Sequence, residues 1–185
     1  MQHFATNHFF DLSQFAHAAL FDGCQYVWQA LDRVKGYLEA YPLGNSQTKE
    51  QQGAYLVNAS RISIGEGTVI EPGAYIKGPC IIGKNCQIRH GAYIRGDCII
   101  GDCCVIGHTT EIKNSIILNH SNAAHFAYLG DTILGSHVNL GAGVKCANLR
   151  LDGAQIVIRD CGQKIATNRR KFGAIIGDHS EVGCN

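Results

Sequence analysis

An aliphatic residue recurs at every sixth position through the middle of this 185-residue chain. The series runs without a miss through Ile64, Ile70, Ile76, Ile82, Ile88, Ile94, Ile100, Ile106, Ile112 and Leu118. An α-helix would need a period of about 3.6 residues, and an ordinary strand one of about 2. A six-residue period is typical of a parallel β-helix, whose short strands bury their apolar side chains by stacking coil on coil. Three hexads form one triangular coil, so residues 18 apart in the sequence are predicted to stack about 4.8 Å apart.

The composition excludes several other classes of protein. Hydrophobic residues make up 45% of the chain and charged residues 17%, which is enough apolar material for a core and too much for a disordered chain. The formal net charge of +1 gives no field that would attract nucleic acid or a membrane surface. Residues 1–10 lack a basic start followed by an apolar run, and no long apolar stretch follows. We therefore expect a cytoplasmic protein whose nine cysteines are free thiols.

The six-residue series is interrupted twice. Leu118 and Leu134 are 16 residues apart, which is not a multiple of six, so residues 119–133 are predicted to form a loop outside the coil. Residues 147–173 form a second predicted loop. Within it, residues 148–151 and 155–159 are predicted to pair as a hairpin around the Asp152-Gly153 turn.

The residues before the repeat show a helical pattern. Residues 13–21 and 25–38 are predicted helices, and the second carries a helical stripe made of Val27, Leu31, Val34 and Leu38. Residues 44–53 are polar and are predicted to be a linker. The sequence thus predicts an N-terminal helical cap and linker over residues 1–53, packed on the first coil, and an all-β domain over residues 54–185.

Cysteines lie at the small inward position of several hexads. Cys80 and Cys98 are 18 residues apart, and so are Cys86 and Cys104. This position requires a compact, mildly apolar side chain, which a free cysteine provides. We therefore favour packing over metal or redox chemistry for these four residues.

His120 and His125 form an H-x4-H pair, similar to the zinc ligands of the γ-carbonic anhydrase family. In that family a third histidine lies two coils earlier, and here that position is Lys84. A catalytic zinc ion needs three protein ligands. The sequence therefore predicts no metal site, and a zinc enzyme is only a distant alternative.

Three basic residues, Lys77, Arg95 and Lys113, recur at intervals of 18 and are predicted to form a column on one face. Stacked like charges repel, so a ligand that carries phosphate would offset their repulsion. A column of long side chains solvated by water is the alternative. The run Arg169-Arg170-Lys171 in the second loop adds further positive charge.

Three segments of the chain carry a resemblance to a known family. They are the run His125-Phe126-Ala127-Tyr128-Leu129-Gly130-Asp131, the run Val138-Asn139-Leu140-Gly141-Ala142-Gly143, and residues 148–178. Together they resemble the C-terminal acetyltransferase domain of bifunctional sugar-1-phosphate nucleotidylyltransferase/acetyltransferases, of the N-acetylglucosamine-1-phosphate uridyltransferase type. The resemblance covers about residues 60–185. It implies a left-handed β-helix that assembles as a homotrimer and transfers acetyl from acetyl-CoA to an amino-sugar 1-phosphate such as glucosamine 1-phosphate.

The resemblance also implies roles for individual residues. His125 matches the catalytic base, which suits a neutral imidazole near pH 7, and Asn148 matches an asparagine beside the acceptor amine. The matches to residues that contact the sugar phosphate are Arg95, Lys113, Tyr128, Asn139 and Lys171. The backbone of Gly141, Ala142 and Gly143 would lie along the pantetheine arm of the co-substrate, or would simply form a turn in the coil.

The chain also departs from the family pattern. Leu149 occupies the position of a substrate-contacting tyrosine in the bacterial enzymes, and no nucleotide-binding loop of the nucleotidylyltransferase half is present. The coils that bind acetyl-CoA in the family lie beyond Asn185. A non-catalytic sugar-phosphate-binding or scaffold protein with the same fold therefore remains the alternative to an acetyltransferase.

Overall fold

Short parallel strands dominate the computed structural model, which describes residues 2–47 and 53–184. In chain order the strands are β1 (Tyr55–Val57), β2 (Ile62–Ile64), β3 (Val69–Ile70), β4 (Tyr75–Lys77), β5 (Cys80–Ile82), β6 (Gln87–Ile88), β7 (Tyr93–Ile94), β8 (Cys98–Ile100), β9 (Val105–His108), β10 (Glu111–Lys113), β11 (Ser115–Ile117), β12 (Asn122–His125), β13 (Tyr128–Gly130), β14 (Ile133–Leu134), β15 (Asn139–Leu140), β16 (Lys145–Cys146), β17 (Val157–Asp160), β18 (Gln163–Ala166), β19 (Ile175–Ile176) and β20 (Glu181–Val182). The helices are α1 (Ala30–Ala40) and the 3-10 helices Gln2–Phe4, Thr6–His8, Ala18–Phe21, Val27–Gln29 and Ala59–Arg61.

The strands form three parallel sheets, each with one strand from every coil. Face 1 contains β1, β4, β7, β10, β13 and β16; face 2 contains β2, β5, β8, β11, β14 and β19; face 3 contains β3, β6, β9, β12, β15 and β20. The chain visits the three faces in turn, so the molecule is a triangular β-helix. It belongs to the left-handed type. This confirms the fold class predicted from the six-residue period.

The small inward positions carry hydrogen bonds as well as packing. The Cys86 thiol donates to the carbonyl oxygen of Gly101 at 3.1 Å, one coil further along the chain. Ser121 occupies the equivalent position two coils later, and its hydroxyl donates to the Gly135 carbonyl oxygen at 2.5 Å. Complete burial raises the pKa of the Cys98 thiol to about 12. These thiols therefore pack in the core, as predicted, and also donate weak hydrogen bonds.

The predicted loop over residues 119–133 is wrong, because this segment contains β12, β13 and the first residue of β14 in regular register. The inward residue after Ile112 is Ile117, which pairs with Ile100, so this step is five residues long. The prediction that Leu118 faces inward is wrong, because its side chain packs on the outside of the coil. A second five-residue step separates Leu129 from Leu134.

The five-residue steps are made by a shorter corner between faces 1 and 2. The corner before β8 uses two consecutive residues with positive φ, Gly96 and Asp97. The corners before β11 and β14 each use one, Asn114 with φ 46° and Asp131 with φ 48°. Asparagine and aspartate tolerate this left-handed region better than most residues. One residue is removed from the corner, and the strands on either side remain stacked.

Residues between β16 and β19 leave the coil as an insertion, which we define as residues 147–173. It contains an antiparallel hairpin of β17 and β18, in which Ile158 pairs with Ile165. The hairpin turn is Cys161-Gly162, so the prediction of strands on either side of Asp152-Gly153 is wrong. Asp152 instead folds back locally, accepting hydrogen bonds from the side chain of Arg150 and the backbone N–H of Ala154.

The N-terminal segment covers the outside of face 2. Its helix α1 buries Leu31, Val34 and Leu38 against outward-facing isoleucines of that face. These isoleucines are Ile81, Ile99, Ile116 and Ile133. The sequence signal was the occurrence of two consecutive aliphatic residues in these strands. One side chain faces the core, and its neighbour faces α1. The predicted helix over 13–21 is reduced to the 3-10 helix Ala18–Phe21.

This segment runs along the coils from the last to the first. The backbone N–H of Asp178 donates to the Phe9 carbonyl at 2.9 Å, and that of Ile64 donates to the Asn45 carbonyl at 3.0 Å. The prediction of a cap on the first coil is therefore wrong. Part of the predicted linker, residues 48–52, lies outside the described residues. Over the described ranges, none of the helices has both the length and the apolar character needed to cross a bilayer.

Candidate functional site

The predicted basic column lies on the outer surface of face 1. Ile94 pairs with both Ile76 and Ile112, so the residues that follow them, Lys77, Arg95 and Lys113, lie one above another. A second column runs beside the first on the same surface. It consists of Tyr75, Tyr93, Glu111, Tyr128 and Lys145.

Glu111 partly neutralises the basic column. The Arg95 Nη1 atom lies 2.6 Å from Glu111 Oε1, and the guanidinium lies over the Tyr93 ring, 5.8 Å from its centroid. The hydrogen bond to Glu111 raises the pKa of Arg95 above its ordinary value. The 18-residue spacing predicted phosphate or water as the partner of this column and did not indicate the carboxylate.

His125 lies at the corner between face 3 and face 1, where β12 ends. It pairs with His108 in β9, and its side chain is exposed. The backbone N–H of Gly143 donates to the His125 carbonyl oxygen at 3.0 Å. The structure therefore brings His125 together with the predicted co-substrate segment Gly141–Gly143.

The glycine at position 141 also has a structural cause. A Cβ atom added to Gly141 would lie 2.5 Å from the backbone nitrogen of Cys184 in the next coil. Glycine is thus required for close stacking of the two coils at this corner, whatever else the segment does.

Asn148 lies at the opposite edge of face 1 from His125. Their two corners are marked by Phe126 and Asp131, which are five residues apart along an extended strand, or roughly 15 Å. A single chain therefore does not bring the two predicted catalytic residues together.

The Asn148 side chain is 8% exposed, and its polar atoms already have partners. Its Nδ2 atom donates to Asp131 Oδ2 at 2.5 Å, and its Oδ1 atom accepts from the Tyr128 hydroxyl at 3.4 Å. Gly130 makes room for this contact, because a Cβ atom there would lie 2.5 Å from Asn148 Nδ2. Burial raises the pKa of Tyr128, so its hydroxyl stays protonated and donates. In this chain Asn148 orients Tyr128.

The two remaining predicted substrate residues lie on different surfaces. Lys171 is exposed at the end of the insertion and forms an antiparallel bridge with Leu149, next to Asn148. Asn139 lies in β15 on the outer surface of face 3, paired with Asn122. The structure thus groups Arg95, Lys113 and Tyr128 on face 1. Lys171 lies near the edge of this face that is opposite His125. Asn139 belongs to the surface on the side of His125.

Sequence reasoning missed a polar cluster at the corner after face 1. Asp131 is 3% exposed and accepts a hydrogen bond from Asn114 Nδ2 at 2.6 Å in addition to the one from Asn148. Arg169 Nη2 lies 3.2 Å from the same carboxylate. The available signal was the 17-residue spacing of Asn114, Asp131 and Asn148, which the assumption of an 18-residue period concealed.

The H-x4-H pair does not converge on one point. His120 precedes β12 and His125 ends it, and the His120 ring stacks on His137 with centroids 4.7 Å apart. Residues 2–47 and 53–184 contain no group of three or more His, Cys, Asp or Glu side chains arranged to hold a metal ion.

The sheet topology and the six-residue repeat place the chain among the left-handed β-helix proteins of the hexapeptide-repeat class. More particularly, the chain belongs to the family described as the GMPPB C-terminal domain, which matches residues 76–168, half of its length.

Segments of larger proteins are also similar. A bifunctional sugar-1-phosphate nucleotidylyltransferase/acetyltransferase from Sulfurisphaera tokodaii is 41% identical over 73 residues, which is 40% of this chain and 18% of that protein. The bifunctional protein GlmU of Methanococcus vannielii is 41% identical over 71 residues, 38% of this chain and 17% of that protein. The chain thus spans less than a fifth of the length of these relatives. Among solved structures, a perosamine N-acetyltransferase from Caulobacter crescentus, in complex with CoA and GDP-perosamine, has a TM-score of 0.39 and 20% identity, covering 63% of this chain and 54% of that one.

Proposed function

We propose that this protein is an acetyl-CoA-dependent N-acetyltransferase acting on an amino-sugar 1-phosphate, with glucosamine 1-phosphate as the first acceptor to test. The observation that carries the proposal is the column of Arg95 and Lys113 beside Tyr128 on face 1. Glu111 neutralises only part of this charge, so the surface suits a phosphate monoester. Similarity over 73 residues to a protein described as a bifunctional sugar-1-phosphate nucleotidylyltransferase/acetyltransferase supports the same substrate class.

In the proposed reaction His125 is the general base. The amine of the sugar attacks the carbonyl carbon of the acetyl thioester, forming the C–N bond while His125 removes a proton from the nitrogen. The C–S bond then breaks, and the sulfur of CoA leaves and takes up a proton. Exposure of His125 at a corner leaves it open to an acceptor, and Gly141–Gly143 would carry the pantetheine arm beside it.

The geometry favours a site shared between subunits. The N-terminal segment covers face 2, which leaves faces 1 and 3, and the His125 corner between them, for contact with other copies. We propose a homotrimer in which His125 of one protomer faces the basic column of its neighbour. Asn139 would come from the protomer that supplies His125, and Lys171 from the protomer that supplies the column. Sedimentation showing a monomer at assay concentration would contradict this arrangement.

The test is release of free CoA thiol from acetyl-CoA in the presence of glucosamine 1-phosphate. His125→Ala is expected to lower kcat by about 10²- to 10⁴-fold, the usual contribution of a general base. His108→Ala is the matched control, since His108 occupies the same column one coil earlier and should leave kcat within about twofold of wild type. Full activity of His125→Ala would show that another group removes the proton.

A non-catalytic sugar-phosphate-binding protein is the second candidate. Leu149 is exposed where the resemblance places a substrate-contacting tyrosine, so the pocket of this chain differs from that of the acetyltransferases it resembles. Calorimetric binding of glucosamine 1-phosphate with no CoA release by the wild-type protein would favour this candidate over the enzyme.

A further inference from the structure

Arg169 connects three separate parts of the molecule. Its Nη1 atom pairs with Asp32 of α1, its Nη2 atom lies 3.2 Å from Asp131 Oδ1 at the corner after face 1, and its Nε atom donates to the Lys171 carbonyl oxygen at 3.1 Å. All three guanidinium nitrogens are therefore engaged, one with each part.

The ion pair between Arg169 and Asp131 is buried, so loss of either partner would leave an uncompensated charge. The side chain of Arg169 is 11% exposed and that of Asp131 is 4% exposed, so their ion pair is poorly screened by water. Asp131 also accepts from Asn114 and Asn148, which completes its hydrogen bonding. An exposed ion pair of the same type, Arg150 with Asp152, lies elsewhere in the insertion and provides an internal comparison.

The contacts of Arg169 lead to two predicted substrate residues. Through its Nε atom it fixes the backbone of Lys171. Through Asp131 it fixes Asn148, which orients the Tyr128 hydroxyl. The backbone N–H of Phe172 also donates to the Asn148 carbonyl at 2.8 Å, so both ends of the insertion meet at this point.

We propose that Arg169 is a positioning residue for acceptor binding, an inference that rests on the proposed function. It holds Lys171 and Tyr128 at the edge of the basic column without contacting the sugar itself. The N-terminal segment enters this arrangement through Asp32, so α1 supports the acceptor side of the site as well as the outer surface of face 2.

Lysine cannot replace arginine here. A single ammonium group is a point charge, whereas the planar guanidinium directs separate N–H groups at Asp32, Asp131 and the Lys171 carbonyl. Arg169→Lys therefore keeps the charge and loses the geometry. The expected result is a rise of about 10- to 100-fold in KM for glucosamine 1-phosphate, with KM for acetyl-CoA within about twofold of wild type.

The matched control is Arg150→Lys, which makes the same chemical change in the exposed pair and should leave both KM values unchanged. A readout independent of turnover comes from Trp28, the only tryptophan of the chain, whose ring lies edge-to-face on Phe172 with centroids 6.0 Å apart. Loosening of the insertion in Arg169→Lys is expected to change Trp28 emission and to increase amide hydrogen exchange in residues 147–173, with an unchanged far-UV spectrum.

The outcomes separate this inference from the proposed function. An active wild type with unchanged acceptor KM in Arg169→Lys would overturn the positioning role and leave the acetyltransferase proposal standing. If Arg169→Lys lowered kcat, raised both KM values and changed the far-UV spectrum, Arg169 would only maintain the fold. That result would also overturn the inference. A wild type that turns over no amino-sugar phosphate would instead overturn the function.

Discussion

The Arg95 guanidinium and the Glu111 carboxylate form an ion pair at 2.6 Å across two neighbouring strands of face 1. The Glu111 carboxylate lies beside the central residue of the basic column and offsets part of the column's charge. A phosphate group would therefore share Arg95 with Glu111 or displace that carboxylate.

Arg95→Met is expected to raise KM for glucosamine 1-phosphate about tenfold or more. A hydrogen bond to a charged group contributes about 1.5–3 kcal/mol, and about 1.4 kcal/mol corresponds to a factor of ten. Steady-state kinetics with varied acceptor measures the change. Arg150→Met, in the exposed ion pair with Asp152, is the control and should leave this KM unaltered. Equal KM values for the two variants would show that the column does not bind the acceptor.

Two glycine substitutions are expected to change stability in opposite directions. Gly36 lies exposed in α1 with nothing within 4 Å of an added Cβ atom, so Gly36→Ala should stabilise by roughly 0.5–1 kcal/mol. At Gly107 an added Cβ atom would overlap the carbonyl group of Ala124 in the next coil, so Gly107→Ala should destabilise by more than about 3 kcal/mol. Chemical denaturation measures both. Near-wild-type stability of Gly107→Ala would contradict the tight stacking of these coils.

Burial of His17 predicts a dependence of stability on pH. Burial lowers the pKa of His17 below its ordinary 6.5, and the charge of Asp102 opposes this only in part. The unfolded chain therefore takes up the proton first as the pH falls through about 6.5, which favours unfolding. The free energy of unfolding should be unaffected by this group above that pH and should decline below it, until the folded state is also protonated.

The measurement is a series of denaturant titrations between pH 8 and about pH 5. His17→Gln should flatten the slope of the unfolding free energy against pH in this window, whatever its effect on absolute stability. An identical slope for His17→Gln would mean that His17 does not titrate differently in the two states.

The sequence predicted the β-helix because a buried apolar side chain in each strand of the coils produces a regular signal. It did not reveal the five-residue steps, because Ile117 and Leu118 are both apolar and either one fits an inward series. Only the pairing of Ile117 with Ile100 decides between them. The predicted loop over 119–133 followed from choosing Leu118.

The site shows a similar division. The spacing of Arg95 and Lys113 predicts their column directly, because 18 residues separate consecutive strands of one face there. The contacts of Arg169 obey no such period, since its partners Asp131 and Asp32 lie 38 and 137 residues away in the sequence. They depend on where the insertion and α1 pack, and the sequence pattern does not specify either position.

The course of the N-terminal segment also bears on how the molecule unfolds. In a solenoid each coil contacts only its neighbours, so coils at the two ends open independently of each other. Here one continuous segment contacts Asp178 in the last coil that the structure describes and Ile64 in the first. Opening of either coil must first detach that segment, which also packs on face 2 of the coils between them. The array should therefore lose its structure in a single cooperative transition, as a globular domain does.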